Sequence, residues 1–294
     1  MKDLPTVIVR LVGGLGNQMF QYAMGVAVAS RVEGRLLLDA DFVGSGIARR
    51  EFELDKAFVG PFQLATAEER RAALGWRAHF LKAIGRPAAS FIRDKRVVVE
   101  RGSDFSSAFT GLSAPVYLVG YWQSESYFLN VTRELRERLR FVPPDAANQT
   151  VLREISACES VAMHIRRGDY AEHNSIMACH GLCPPSYYER AAEWLMERKE
   201  NLRFFLFSDD LEWTRDNIKL PAECTYVDVN RGGYAFNDMR LMSRCGHQVI
   251  ANSTFSWWAA WLNDNPEKLV IAPQRWFASG SPASSICPHT WVRL

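Results

Sequence analysis

The sequence predicts an α/β fold whose second half is a doubly wound parallel sheet. Two observations carry this. From residue 161 to 272, short β-branched and aromatic runs alternate with segments of helical apolar spacing. The polar clusters in that stretch fall just after the strands, on one edge of the sheet. A third observation extends the class to the N-terminus, where a glycine-rich turn joins a strand to a helix.

Residues 6–12, TVIVRLV, are a β-branched apolar run and read as a buried strand. Residues 13–17, GGLGN, are a turn. Residues 18–32 lack proline and keep apolar positions at helical spacing, so they read as a buried helix. Residues 35–39, RLLLD, read as a second strand, closing a βαβ unit of about 35 residues. The stretch 45–115 is less regular, with helices expected around 66–92 and strands at 97–99 and 116–119. A helix over 128–140 stops before Pro143-Pro144-Asp145, the best linker candidate, so domains are expected at 1–143 and 144–294. Beyond it, strands are expected at 161–165, 203–207, 225–229, 248–251 and 269–272. Helices at 187–199, 211–217, 235–243 and 255–262 alternate with them. Ligands in such sheets bind outside the carboxyl ends of the strands. Arg166-Arg167, Ser208-Asp209-Asp210 and Asn252-Ser253-Thr254 all fall there.

Composition bounds the function. The chain has 294 residues, 48% hydrophobic and 23% charged, which excludes a disordered chain, a coiled coil and a fibrous repeat. No apolar run reaches the ~18–20 residues of a membrane span. The opening Met1-Lys2-Asp3-Leu4-Pro5 does not read as an export signal. A net charge of +2 gives no basic stripe for nucleic acid. One local bias exists: from Arg70 to Arg101, basic residues far outnumber Asp94 and Glu100. It reads as a solvated face, or as a surface for anionic lipid or a lipid-carried acceptor. The six cysteines read as reduced thiols. Cys179, His180 and Cys183 lack a second cysteine pair, so structural zinc is not expected.

Four motifs carry chemistry. In the first, Gly14 and Gly16 match half of a dinucleotide fingerprint, but Met19 stands where the third glycine belongs. The physics that survives is close backbone approach to a ligand and a helix start whose free N–H groups face it. The second is His164-Ile165-Arg166-Arg167-Gly168-Asp169-Tyr170. Guanidinium matches phosphate oxygens with a two-pronged geometry. Strand alternation sends the two arginines to opposite sides, so one meets a ligand and the other pairs with a carboxylate such as Asp169. His164 points the same way as Arg166, either as a ligand contact or as a satisfied core histidine. In the third, Ser208 and Asp209 either cap the next helix or leave Asp209 or Asp210 to accept hydrogen bonds from a base or ribose. The fourth combines Asp238 with Asn252-Ser253-Thr254, an anion cradle at a helix start. Trp257, Trp258 and Trp261 behind it read as packing.

Together the segments GGLGNQMFQYA at 13–23, HIRRGDY at 164–170, FSDD at 207–210, IANSTFSWWAAWL at 250–262 and VIAP at 270–273 resemble the bacterial α-1,2-fucosyltransferases of glycosyltransferase family 11. The resemblance implies a GT-B fold: two facing, doubly wound, Rossmann-like domains, the first for the acceptor and the second for GDP-fucose. It implies inverting transfer from GDP-β-L-fucose to a galactose 2-hydroxyl. The acceptor would be a galactose-terminated oligosaccharide or lipid-linked glycan, met by a cytoplasmic enzyme with peripheral contact to the inner membrane face. By the same resemblance Arg166 serves the β-phosphate, and the glycine loop brings Asn17 near the sugar or its leaving oxygen. Asp238, Ser253, Thr254 and Phe255 would lie in the GDP pocket. Asp169 and Glu172 are the candidates for accepting the acceptor's proton. The same motifs also suit a transferase using another GDP-sugar, or a non-catalytic nucleotide- or glycan-binding protein. Asp39-Ala40-Asp41 spells the D-x-D pattern of metal-dependent glycosyltransferases. It follows a strand of the first domain, while arginine and helix N–H groups supply positive charge in the second. No metal or other cofactor is therefore expected.

Overall fold

A computed structural model describes residues 4–45, 50–75, 96–100, 102, 105–109, 111–167, 181–278 and 286–294. The chain divides into two compact units, Met1–Val142 and Pro143–Leu294.

The first unit is built on a parallel four-stranded sheet. Its strands are β1 (Thr6–Arg10), β2 (Arg35–Asp39), β3 (Val97–Val99) and β4 (Val116–Val119), in the order β2-β1-β4-β3. Helix α1 (Leu15–Arg31) is apolar almost all round and is buried along nearly its whole length. A helix of that kind needs cover on every side. Gly25 lets it approach the sheet, since a Cβ there would meet Leu36 and Val9 side chains at 2.6 and 2.7 Å. Alternation along β1 and β4 puts Ile8 and Tyr117 on the other face, in a core with Leu37, Leu74 and Val97. Two short helices, α2 (Leu54–Ala57) and α3 (Ala67–Leu74), follow β2. Thr66 and Glu69 form a reciprocal capping box on α3. The helix expected over 128–140 is broken: a 3₁₀ turn at Leu129–Val131 precedes α4 (Thr132–Arg138).

The second unit holds a parallel six-stranded sheet in the order β10-β9-β8-β5-β6-β7. The strands are β5 (Glu159–Ile165), β6 (Leu202–Ser208), β7 (Glu223–Tyr226), β8 (His247–Val249), β9 (Val270–Ala272) and β10 (Val292–Arg293). The helices are α5 (Ala146–Ser156), α6 (Pro185–Met196), α7 (Leu211–Asn217), α8 (Phe236–Arg244) and α9 (Thr254–Leu262). Asp145 caps α5 through the Asn148 N–H, so the Pro-Pro-Asp signal ends one unit's chain and starts the next helix. Helix α5 and strand β10 were not legible from spacing: α5 carries few apolar positions, and β10 has two residues. Tyr187, Tyr188, Ala191 and Leu195 of α6 pack on Val161, Met163, Phe204 and Leu206 of the central strands. Trp257 and Trp258 are fully buried and Trp261 nearly so, as expected for packing residues. The fold is the α/β GT-B type, two Rossmann-like units each on a parallel sheet.

Strand β5 lies between β6 and β8, so the winding reverses there. That reversal opens a crevice at the carboxyl ends of β5 and β8. Met163 pairs with Val249 across the two strands. Arg166 lies three residues beyond Met163 and Asn252 three beyond Val249, so both follow the same edge of the sheet.

Candidate active site

In the second unit, Arg166 is the first residue after β5 and pairs with the Asp209 carboxylate, which follows β6. The other Asp209 oxygen accepts the Arg167 backbone N–H at 2.8 Å. Both oxygens are therefore engaged, and Asp209 sits as the group that holds Arg166 rather than as an open acceptor. Arg167 goes the other way, as alternation requires. Its guanidinium lies 3.7 Å over the Trp213 ring, and its Nε is 3.4 Å from Asp210. Among the described residues its carboxylate partner is Asp210; the expected partner Asp169, like Glu172, lies outside the described residues. Asp210, not Ser208 or Asp209, caps α7, accepting the Trp213 N–H at 3.0 Å. The Ser208 hydroxyl instead accepts the Asp210 N–H.

His164 is buried, and its Nδ1 has no hydrogen-bond partner among the described residues. Burial lowers its pKa to about 4, with Asp209 opposing and the Arg166 charge adding to the shift, so the ring is neutral at working pH. It lies 5.7 Å from the Phe255 ring, centroid to centroid. Across the reversal, Ser253 caps α9 through the Phe255 N–H. Thr254 and Phe255 are half-buried in the first turn of that helix. Asn252 is placed differently from a ligand-facing group. It is buried, donates to the Gly181 and Trp276 carbonyls, and accepts from the Cys183 thiol. It ties three loops together behind the helix start. Cys179 and His180 lie outside the described residues, and burial pushes the Cys183 thiol up to about 11, so it is not a ready thiolate.

Asp238 stands in the first turn of α8. Burial raises its carboxyl to about 7, with nearby Asp228 adding to the effect. Asn230 donates to it at 2.8 Å and exchanges amide hydrogen bonds with Asn148, each 2.9 Å. Asn230 and Asn148 were missed from sequence. Nothing in their spacing marks them, because helix α5 and the loop after β7 meet only in the fold.

The first unit carries the glycine loop. Gly13 has φ +80°, and a Cβ there would meet the Asn17 amide nitrogen at 2.6 Å. Gly14 is the N-cap of α1, and Gly16 is buried in its first turn. The Asn17 oxygen accepts from Gln123 at 3.0 Å. The expectation of helix N–H groups free to face an anion is corrected here. The Leu15 N–H donates to the Glu53 carboxylate at 3.0 Å, and Gln18 clasps the Glu51 carbonyl and the Glu53 N–H. A carboxylate of the chain already occupies the positive end of α1, so a phosphate is disfavoured there. Gln123 lies in a strained loop after β4: Trp122 has φ +55°. The Tyr121 and Trp122 N–H groups are both held by the Glu100 carboxylate, at 2.7 and 3.0 Å.

Asp39 and Asp41 are bound within the unit. Asp39 is buried and accepts from the Tyr117 hydroxyl at 2.5 Å, and Arg70 reaches Asp41 at 2.8 Å and Asp39 at 3.7 Å. Arg70 thus leaves the basic stretch to serve these carboxylates, while residues 76–95 and 101 of that stretch lie outside the described residues. Among the described residues no group of three or more His, Cys, Asp or Glu side chains is arranged to hold a metal ion. No helix among them is long and apolar enough to cross a membrane.

Comparison with known proteins gives this arrangement a family. An α-1,2-colitosyltransferase of Escherichia coli is 34% identical over 98% of both chains. The galactoside 2-alpha-L-fucosyltransferase SEC1 of Bos taurus is 33% identical over 35% of this chain and 28% of its own length. The crystal structure of the fucosyltransferase NodZ from Bradyrhizobium shares the fold, with a TM-score of 0.51 at 15% identity, covering 88% of this chain and 93% of that one. The sequence profile described as Glycosyl transferase family 11 matches residues 91–294, the span that contains β5, the arginine pair, Asp238 and the start of α9. With the fold, the arginine pair at the sheet reversal and these relatives in agreement, the chain belongs to glycosyl transferase family 11 and is a glycosyltransferase.

Proposed function

We propose that the chain transfers L-fucose from GDP-β-L-fucose to the 2-hydroxyl of a galactose-containing glycan, with inversion. The observation that carries this is Arg166, held by Asp209 at the sheet reversal, on the sheet edge where α9 also starts. A nucleotide diphosphate leaves with growing negative charge, and a preorganised guanidinium with helix N–H groups stabilises it in the transition state. His164, neutral and with an unsatisfied buried nitrogen, serves the bound nucleotide beside Arg166. Asp238, Ser253, Thr254 and Phe255 line the same donor site. In the first unit, which takes the acceptor, Gly14 and Gly16 let the backbone approach, and Asn17 with Gln123 meets the sugar. The acceptor hydroxyl attacks opposite the leaving phosphate, and Asp169 or Glu172 accepts its proton. Arginine and helix N–H groups already neutralise the diphosphate, so no metal is required.

The linkage is supported by two relatives, one an α-1,2-colitosyltransferase and one a galactoside 2-alpha-L-fucosyltransferase. The first of these also favours a second reading, a donor sugar other than fucose. The experiment is GDP release from a panel of GDP-sugars offered with galactose-terminated acceptors, followed by linkage analysis. Fucosyl transfer to O2 of galactose is expected. Faster release from another GDP-sugar would establish the second reading, and a product linked elsewhere would reject the α-1,2 assignment.

A further inference from the structure

Arg10 is the last residue of β1, at the carboxyl edge of the first unit's sheet, paired in register with Asp39. Its guanidinium lies 3.7 Å from the centre of the Phe42 ring, which holds it flat. Its Nε is buried without a hydrogen-bond partner. Among the described residues the guanidinium makes no hydrogen bond or ion pair, although Asp39 is its register neighbour. Asp39 is served instead by the Tyr117 hydroxyl, the Asp41 N–H and Arg70.

An arginine kept only to neutralise Asp39 would be bonded to it. Leaving a buried donor unmade costs about 1–3 kcal/mol. Burial also disfavours the charge on Arg10. A chain keeps such a group where a ligand completes it. The surroundings select the ligand. Asp39 and Asp41 are matched by Arg70 and Arg10, so the cluster is electrically balanced and has no surplus charge for an anion. The fork of a guanidinium then suits a pair of neighbouring hydroxyl oxygens.

We propose that Arg10, held over Phe42, is a binding residue for the acceptor and donates to adjacent hydroxyl oxygens of a neutral sugar. This rests on the reading of the first unit as the acceptor side. It adds a subsite on the face of the sheet opposite α1, separate from the Asn17–Gln123 contact.

The test is Arg10→Met, with Arg10→Lys beside it, in the full chain. Three quantities are read: the acceptor KM, GDP affinity by calorimetry, and Tm. Arg10→Met should raise the acceptor KM about 10- to 100-fold, the range of hydrogen bonds from a charged donor. Arg10→Lys should recover only part of that loss, because a point charge lacks the fork. GDP affinity should not move. Tm should stay level or rise, since an unsatisfied buried donor has been removed. An unmoved acceptor KM would overturn the proposal, and so would a lowered Tm with GDP affinity falling in step. A wild-type acceptor KM that rises steeply with salt would also overturn it, because the ligand would then be anionic. A wild-type chain that releases no GDP from GDP-fucose with any galactoside defeats the transfer reading and this one together. A working wild type with unmoved Arg10 variants defeats this one alone.

Discussion

Arg166 and Arg167 are adjacent and identical in type, yet the fold gives them different work. Arg167 is stacked on Trp213 and tied to Asp210, so it fastens α7 to the end of β5. Arg166 follows β5 at the sheet reversal and pairs with the Asp209 carboxylate. Arg166→Ala should lower turnover roughly 10²–10³-fold, the scale of losing one transition-state charge stabiliser. Arg166→Lys should fail as well, and near-normal turnover in steady-state assays of the lysine variant would reject the assignment. Asp238 gives a pH test. Its folded carboxyl titrates near 7, well above the unfolded range around 4, because burial disfavours its charge. Between those values the folded chain keeps a proton that the unfolded chain has released. Stability therefore falls as pH rises across that window and levels off above it. If the ionised carboxylate accepts donor hydrogen bonds, GDP affinity weakens as pH drops below about 7, and Asp238→Asn flattens that profile. Calorimetric titration of GDP at several pH values decides it.

At the scale of elements, the two helix starts that the sequence marks as candidate ligand sites are used differently. Helix α9 begins with Ser253 capping it from within, beside the arginine site. Helix α1 begins with Glu53 reaching in from 38 residues away to take the Leu15 N–H. Glu53→Ala leaves a partly buried N–H unpaired and should cost about 1–3 kcal/mol in denaturant unfolding. A variant of unchanged stability would show that water replaces the carboxylate. The glycine turn before α1 is a steric requirement. At φ +80°, Gly13→Ala costs roughly 1–2 kcal/mol and drives its methyl into Asn17. If the loop belongs to the acceptor side, as proposed, Gly13→Ala and Asn17→Ala should both lower turnover more than GDP affinity. Loss of GDP affinity with turnover per bound donor intact would move the loop to the nucleotide.

At the scale of the whole molecule, two closely spaced carboxylate pairs are each neutralised by arginines of their own unit. Arg70 satisfies the Asp39-Ala40-Asp41 pattern in the first unit, and Arg166 with Arg167 satisfies Asp209 and Asp210 in the second. Turnover should therefore survive exhaustive chelation. Activity that disappears with chelator and returns only with Mg²⁺ or Mn²⁺ would revive Asp39 and Asp41 as ligands, after displacement of Arg70.

The sequence by itself determined the class of fold and the edge of the sheet where the polar clusters gather. Strands of β-branched and aromatic residues, turns of glycine and polar groups, and amphipathic helices are local signals, set by backbone sterics and by the side-chain period of each element. They marked β1, β5, β6, β9, α7 and α9 closely and put Arg166 after a strand. They were weaker where burial is all-round or an element is two residues long, as in α1's first turn and β10. Tertiary structure alone decided the pairings. Which carboxylate holds which arginine, that Glu53 fills the end of α1, that Asn148 and Asn230 support Asp238, and that Arg10 Nε finds no hydrogen-bond partner among the described residues all depend on side chains from separate elements. Those elements are brought within hydrogen-bond reach by the order β2-β1-β4-β3 and the reversal at β5. Strand order is a long-range property, and no local pattern of residues encodes the distance between two loops.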